Sequence, residues 1–480
     1  MNCFSGKFIP SFLLAFFLLI DAMQAQTYVS GGIYNNTTWT LANSPYIMTG
    51  SMVVFPGRTL TIEPGVEVRV RYGGIPNTGL MHYLEIRGSL VAIGTKENRI
   101  LFHSETVSSD YSWLGINVKS SQGGQITMDY FEFNDAYWGI TADQQGSPLI
   151  DFHHCIFRHN NYAVQPFGPL NFYDCLFERN GQAIASGWQL NHVIGVKRCE
   201  FLKNFSCNGF QSLLSVDSCL VKENMNGIWY ANGPITNTLF ERNTFAIYAV
   251  NGNISNCNFK NNYKGLVEFL GIARNCSFSG NGLAAELATG CELSNSTFLN
   301  DTVAVAFAAG LTPASVLPIF KENQLCGSLK YYVENRSDLT ISLDQNCFCE
   351  TDSATIENLI FDGYDDFTKG LFNYTIYDNS CQNILRQVIK VPIPTSANPL
   401  LSGKFALYPI PATDVIRLSI PANYKSSGLR AILLDAQGRQ LGAEQQISED
   451  TNSWDISGLP SGMYTIRLMG SNSSSLRFFK

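Results

Sequence analysis

The stretch CIFRHNNYAVQPFGPLNFYDCLFERN, residues 155–180, states one pattern twice: Cys155, Phe157 and Asn160, then Cys175, Phe177 and Asn180. The same spacing returns at Cys199, Phe201 and Asn204, at Cys219, Val221 and Asn224, and at Thr238, Phe240 and Asn243. It continues at Cys257, Phe259 and Asn262 and at Cys276, Phe278 and Asn281, loosens at Ser296, Phe298 and Asn300, and echoes last at Phe320 and Asn323. The asparagines from 160 to 281 lie 20, 24, 20, 19, 19 and 19 residues apart. A period near 20 that absorbs insertions marks a solenoid, in which each repeat buries its apolar face only against its neighbours.

Alternation within the repeat assigns the faces. Cys and Phe stand two apart and so share one side of a strand, the inner one, while the charged residues after Phe (Arg158-His159, Glu178-Arg179, Lys222-Glu223, Glu241-Arg242) face water. After each Asn comes a second short apolar segment, such as Ala163-Val164, Ala183-Ile184 or Ala246-Ile247, and a further strand such as Leu170-Asn171-Phe172 returns to the next Cys. Each coil therefore reads strand, Asn turn, strand, strand, and coils stack at about 4.8 Å. Asn tolerates left-handed backbone at a tight bend, and stacked amides can hydrogen-bond from coil to coil, which predicts a ladder of Asn160, Asn180, Asn204, Asn224, Asn243, Asn262 and Asn281. Cys155, Cys175, Cys199, Cys219, Cys257 and Cys276 form an inward column where a small hydrophobe is wanted, and they read as buried free thiols. Cys326, Cys347, Cys349 and Cys381 lie outside it and are available for one or two bridges whose pairing spacing does not fix.

Composition sets the surroundings. In 480 residues only 15% are charged and the net charge is -7, with no Lys/Arg cluster, so nucleic acid is not an expected partner. The first 25 residues, with Lys7, an apolar run from Ser11 to Ile20 and Met23-Gln24-Ala25, read as a signal peptide. That run is shorter than the roughly 20 residues of a membrane-spanning helix, and no later stretch is longer, so export without a transmembrane segment is expected. Residues 26–125 are assigned to opening coils, 126–345 to regular repeats, 346–390 to a closing coil and cap, and the Pro-rich 391–402 to a linker. The repeat resembles the right-handed parallel β-helix family, which includes pectate-lyase-like enzymes and many surface proteins. The segment around Trp39, Pro45-Tyr46 and Leu60 to Val66 resembles its first coil, and Asn346 with 351–366 its last.

From 403 to 480 the texture becomes that of a small β-sandwich, with runs such as 415–420, 429–434 and 463–468. Pro409 and Pro411, Asp435 with Gly438-Arg439, Gly462 and Tyr464, and the terminal Lys480 resemble the type A C-terminal sorting domain of the type IX secretion system. That resemblance implies passage through the periplasm, recognition by the outer-membrane translocon, and removal of the domain by a sortase-like enzyme near the linker. It places the mature protein at the cell surface or outside the cell. Asp301-Thr302-Val303 and Asp352-Ser353-Ala354 resemble the O-glycosylation sequon of bacteria that use this system.

Two classes of function fit such a rod. A lyase or hydrolase of the β-helix fold would, by the family resemblance, need clustered carboxylates, with calcium as the cofactor of a lyase. Glu268 and Glu286 fall at different offsets in the repeat, as do Asp151, Asp174 and Asp217, and His153, His154 and His159 flank a strand, so no catalytic or metal-ligating residue is assigned and no cofactor is expected. A binding rod needs aligned outer aromatics instead. Trp138 and Tyr162 stand seven residues after the Cys position in successive coils, and Trp229 and Tyr248 ten after it, forming a candidate face for polysaccharide or surface glycan. The alternative for these rings is that they cover the helix or pack under the insertion at Gly187-Trp188.

Overall fold

The computed structural model describes residues 26–73, 81–106, 111–142, 150–165, 168–185, 194–209, 212–343, 345–350, 352–374, 406–408, 414–419, 430–435, 439–447, 452–460, 463–469 and 474–480. Residues 1–25, read above as a signal peptide, and 391–402, read as a linker, lie outside these residues, as do Trp188 and Cys381. The chain divides between Ser396 and Ala397 into two compact units.

The first unit is a parallel β-solenoid of about 13 turns. Each regular coil presents three short strands, one to each of three faces. In one coil these are Leu176–Glu178 on the first face, Gln182–Ile184 on the second and Ile194–Lys197 on the third. Every strand pairs in parallel with its equivalent one coil away, so that Phe157, Phe177 and Phe201 fall in one column. Phe157, Phe177 and Phe201 stack face to face at 5.0 and 4.9 Å, and Phe240, Phe259, Phe278 and Phe298 continue at 5.0, 4.6 and 4.6 Å, all buried. Offset stacks of this kind add to the burial energy of the rings.

The corner between the first and second faces is built by two adjacent residues with separate tasks. The left-handed backbone belongs to the residue before each ladder position, His159, Arg179, Lys203, Glu223, Arg242, Asn261, Gly280 and Asn300, with φ between 53° and 67°. This corrects the expectation that Asn itself takes the bend. The Asn that follows turns inward and is buried. Its Oδ1 accepts from the backbone N–H and the Nδ2 of the preceding ladder residue, and its Nδ2 also reaches a carbonyl of the preceding coil. Asn204 and Asn224 show the pattern, with N to Oδ1 at 2.8 Å, Nδ2 to Oδ1 at 3.0 Å and Asn224 Nδ2 to the Phe201 carbonyl at 2.9 Å. Each Nδ2 to Oδ1 step from Asn160 to Asn281 is 3.0 Å, and the next is Asn281 to Asp301 at 2.8 Å. Asp301, not Asn300, therefore continues the ladder.

The corner between the third and first faces repeats the device with different atoms. A left-handed residue (His154, Asp174, Arg198, Ser218, Asn237, Asn256, Asn275, Asn295) precedes each column position. The column is polar as well as small: Cys175 N–H donates to Cys199 Sγ and Cys199 N–H to Cys219 Sγ, both at 3.4 Å, Cys219 N–H to Thr238 Oγ1 at 3.3 Å and Cys276 N–H to Ser296 Oγ at 3.1 Å. Each thiol in turn donates to the carbonyl two residues back, as Cys219 does to Asp217 at 3.2 Å. Asn323 and Asn346 finish this column, accepting from Ser296 and Asn323 N–H at 3.0 and 3.1 Å. The Phe320 and Asn323 echo is thus out of frame: Phe320 lies on the third face opposite Leu293, and Asn323 occupies the thiol corner. An amide and a hydroxyl serve this corner as well as sulfur does, which explains why the motif blurs toward its end.

Eight cysteines, Cys155, Cys175, Cys199, Cys207, Cys219, Cys257, Cys276 and Cys291, are buried and unbridged. Burial pushes the Cys207 and Cys257 thiols well above the usual range and Cys276 up to about 12, which keeps them as unreactive thiols. Alkylation of the native protein should leave all eight unlabelled by peptide mass spectrometry, with labelling appearing only in denaturant. Cys326 and Cys349, on adjacent coils with Cα atoms 5.0 Å apart, are bonded to each other.

The ends of the stack differ from its middle. Trp39 stacks on Tyr46 at 4.7 Å in the first coil. After Asn346 a short helix, Ser353–Asn358, begins at Asp352, whose side chain accepts from Thr355 N–H at 2.9 Å, and Ile360–Phe361 then returns to the solenoid sheet. The second unit holds a three-stranded antiparallel sheet (Ala406–Tyr408, Val415–Ser419, Asn452–Asp455) and a four-stranded one (Arg430–Leu434, Gln440–Gln446, Met463–Met469, Ser474–Phe479). Ile416, Leu418, Leu433, Trp454, Ile466 and Leu468 form part of its own core.

Candidate functional site

Outer surfaces of the first two faces differ in kind. On the first, charges cancel along the stack: Arg158 bridges Glu132 at 2.6 Å and Glu178 at 2.9 Å, and Arg242 bridges Glu223 at 2.6 Å and Glu241 at 2.9 Å. Pairs of this type, on a solvent-facing surface though partly covered, leave little net field. The second face carries rings and hydroxyl or amide groups instead.

Trp138 and Tyr162 are neighbours in successive coils and stack at 4.9 Å with planes 12° apart. Trp138 is 38% exposed. Tyr137 meets Trp138 edge-on at 5.3 Å and Tyr162 at 6.4 Å, and Tyr111 joins through Tyr137 at 6.1 Å and His159 at 5.8 Å. The repeat does not single out Tyr111 and Tyr137: Tyr111 stands in an insertion after Ile100–Ser104, and Tyr137 stands one position before the column that aligns Trp138 with Tyr162.

Beside Trp138 the surface opens into a hollow of about 180 Å³. Two residue columns define it. Tyr83, Gly115 and Gly139 stand on successive coils, and two residues further along the strands, on the same outer face, stand Glu85, Asn117, Thr141 and Gln165. The glycines are required by backbone packing: a Cβ on Gly115 would sit 2.0 Å from the Gly139 carbonyl oxygen, and one on Gly139 would sit 2.1 Å from that of Ala163. Their missing side chains leave the floor of the hollow bare between Tyr83 and Trp138. Glu85 is held by Arg87, whose Nε donates to Oε1, while the residues alternating with this column, Leu84, Ile86, Ile116 and Ile140, fill the core. A hollow with an aromatic wall, a backbone floor and a carboxylate, an amide and a hydroxyl in line can hold a polyhydroxylated ring.

Trp229 and Tyr248 are also opposite one another in register. Tyr230 lies between them, edge-on to Trp229 at 5.2 Å and to Tyr248 at 5.4 Å. Trp229 is tied down: its indole N–H donates to the Asn208 carbonyl, and its backbone N–H donates to Asn208 Oδ1 at 3.0 Å. The Tyr248 hydroxyl is held above its ordinary pKa by its hydrogen bond to Tyr230 and by burial. Trp229 thus packs against the buried Asn208 as well as offering a surface.

Carboxylates and histidines are dispersed. Asp217 pairs in register with Lys197 and Asp151 with Asn171, while Asp174 takes Arg198 at 2.6 Å, so the three aspartates stay in separate columns. His154 Nδ1 lies 2.9 Å from Asp129 and His159 Nδ1 2.9 Å from Asp135, each at a corner, and His153 stacks on Tyr173 at 4.9 Å. Among the described residues there is no group of three or more His, Cys, Asp or Glu placed to hold a metal ion. Glu286 is bound by Arg336 at 2.9 Å. In the two sequon-like triplets, Asp301 is buried in the ladder with Thr302 exposed beside it, and Asp352 caps the helix that Ser353 begins.

In the second unit, Arg439 Nε donates to Asp435 Oδ2 at 2.7 Å and its backbone N–H to Oδ1 at 2.9 Å, tying together the facing ends of two paired strands. The Tyr464 hydroxyl donates to the Pro460 carbonyl at 2.6 Å, and Lys480 Nζ donates to the carbonyls of Ser457 at 2.7 Å and Leu459. The last residue of the chain thus braces the 457–460 turn. Pro409, Pro411, Gly438 and Gly462 lie outside the described residues.

Residues 406–479 match the secretion system C-terminal sorting domain family. A segment of 107 residues, 22% of the chain, is 35% identical to Protein bark beetle of Drosophila melanogaster, and the match spans 3% of that protein's length. Among solved structures, the chain is similar to a mutant tailspike protein of E. coli bacteriophage HK620 in complex with a pentasaccharide, at 10% identity and a TM-score of 0.30, over 95% of this chain and 86% of that one. It is similar also to the tailspike protein of Acinetobacter phage vB_ApiP_P1, at 12% identity and a TM-score of 0.23, over 88% and 73% of the two chains.

Proposed function

We propose that this exported parallel β-solenoid, delivered to the cell surface or exterior through its secretion system sorting domain, works there as a non-catalytic rod that binds glycans with its second face. The observation that carries the reading is the stacked, outward pair of Trp138 and Tyr162 beside a hollow edged with polar side chains. Aromatic faces stack on the C–H surfaces of sugar rings, and rings already held by neighbours lose little freedom on binding. Trp229 and Tyr248 form a second patch on the same face, further along the stack.

The sorting domain engages the type IX machinery. In this reading a sortase-like enzyme then removes it within the 391–402 linker, leaving the rod as the working form. The test is retention of the purified protein on a panel of immobilised polysaccharides, with parallel assay of chain cleavage. Trp138→Ala combined with Tyr162→Ala should weaken retention at least about tenfold, equivalent to roughly 1.4 kcal/mol, with unchanged thermal unfolding. Retention that survives both this pair and Trp229→Ala with Tyr248→Ala, or release of sugar fragments by the wild type, would overturn it.

A further inference from the structure

We infer that the hollow beside Trp138 is a single-ring subsite for neutral hexopyranoses that discriminates against uronates and other acidic sugars. This rests on the glycan-binding reading and adds a ligand class to it.

Size limits the occupant first. About 180 Å³ is well below the roughly 300–1,000 Å³ of a pocket that encloses a drug-sized molecule, so one ring enters and the rest of a chain runs over the surface. Chemistry limits it next. The column Glu85, Asn117, Thr141 runs up the stack one residue per coil, so its polar groups repeat at the strand spacing of about 4.8 Å. A carboxylate, an amide and a hydroxyl at that interval suit a row of hydroxyls on one edge of a pyranose, while Trp138 and Tyr83 offer apolar surface to its faces.

Charge makes the choice between neutral and acidic sugars. Among the described residues, Glu85 is the one acidic side chain lining the hollow, and no Lys or Arg lines it. Arg87, just past the end of the strand that holds Glu85, donates to Oε1 of Glu85 and so orients the carboxylate. A carboxylate has lone pairs to spare for ligand hydroxyls beyond the one that Arg87 uses. A uronate or sulfated ring would meet the negative end of the Glu85–Arg87 ion pair, since Glu85 lines the hollow and Arg87 does not, in a partly desolvated site where like charges repel more strongly than in bulk water. Neither the solvated salt-bridge surface of the first face nor the Trp229 patch combines these groups.

The experiment measures binding of the full-length protein to dextran, mannan and galactan against polygalacturonate and alginate, by calorimetry with soluble oligomers of each. At least one neutral polymer should bind, and the acidic polymers should bind at least roughly tenfold more weakly at about 50 mM salt. Glu85→Gln should narrow that gap by strengthening acidic-polymer binding. Asn117→Ala and Thr141→Ala should each weaken the neutral polymer about threefold to tenfold while leaving thermal unfolding unchanged. Equal or tighter binding of the polyuronates, or a neutral polymer indifferent to Asn117→Ala, Thr141→Ala and Trp138→Ala, overturns the subsite. If a neutral polymer binds and is lost only in Trp229→Ala and Tyr248→Ala, the subsite is wrong and the glycan-binding reading stands. If no polymer of either kind binds, both fall.

Discussion

Asn224→Ala should destabilise the solenoid by about 3–6 kcal/mol, measured as the shift in urea unfolding followed by intrinsic fluorescence. The side chain sits at the centre of the amide ladder. Its Oδ1 is the acceptor for both the backbone N–H and the Nδ2 of Asn204, at 2.8 and 3.0 Å, and its Nδ2 donates to the Phe201 carbonyl at 2.9 Å and to Asn243 Oδ1 at 3.0 Å. Truncation orphans two donors in a position shut off from water, each costing about 1–3 kcal/mol, and takes a donor away from two buried acceptors. The neighbouring bonds polarise one another, so the loss should not be smaller than the sum for isolated bonds. Met225, the next residue, is about half exposed, and Met225→Ala should shift stability by less than about 0.5 kcal/mol. A loss below about 1 kcal/mol for Asn224→Ala would mean that water or backbone movement satisfies the orphaned groups.

Asp301→Asn should have the opposite sign and a pH dependence. Asp301 takes the ladder position after Asn281, and its Oδ1 accepts from Asn281 N–H and Nδ2 at 2.7 and 2.8 Å. Its Oδ2 is buried and has no hydrogen-bond partner among the described residues. Burial pushes its pKa up to about 7 from an ordinary 3.8, against the pull of the Asn281 donors. The native state therefore prefers the protonated acid. The stability this group contributes is full below about pH 3.8 and is lost as pH rises through about 7. The gap between 3.8 and about 7, at about 1.36 kcal/mol per pH unit, sets the loss above neutral pH on the order of 4 kcal/mol. Asparagine removes the titration and supplies the missing donor: its Nδ2 would face the Phe278 carbonyl, as Asn281 Nδ2 faces that of Phe259 at 2.9 Å. The variant should match the wild type near pH 4 and exceed it by about 2–4 kcal/mol at about pH 8. An advantage that is the same at both values would show that Asp301 does not titrate within the fold.

Much of the solenoid was legible because its inner corners are chemically demanding. A phenyl column needs Phe and a buried amide ladder needs Asn, so these residues recur where the coil requires them. What the repeat did not reveal is which residue of each corner carries the strained backbone. The left-handed position is filled by His159, Arg179, Lys203, Glu223 and Arg242 alike, because their side chains point to solvent and any residue able to tolerate the geometry will do. The same looseness hid the change of frame at Asn323. Both corners accept an amide, so the letter alone does not say which corner it occupies. The candidate site was half visible. Trp138 and Tyr162 announce themselves by size, whereas Glu85, Asn117 and Thr141 are ordinary residues 32 and 24 positions apart, brought into line by coils of unequal length. Only register joins them.

The amide ladder also bears on how such a rod changes length. Every ladder side chain touches only the ones immediately above and below, and it offers the same donors and acceptors whichever they are. Excising the 19 residues from 225 to 243 would bring Asn224 against Asn262 with every polar group still matched. The length of the solenoid is therefore quantised in whole turns of about 4.8 Å, and it can be lengthened or trimmed by duplication or loss of a turn without redesigning either end.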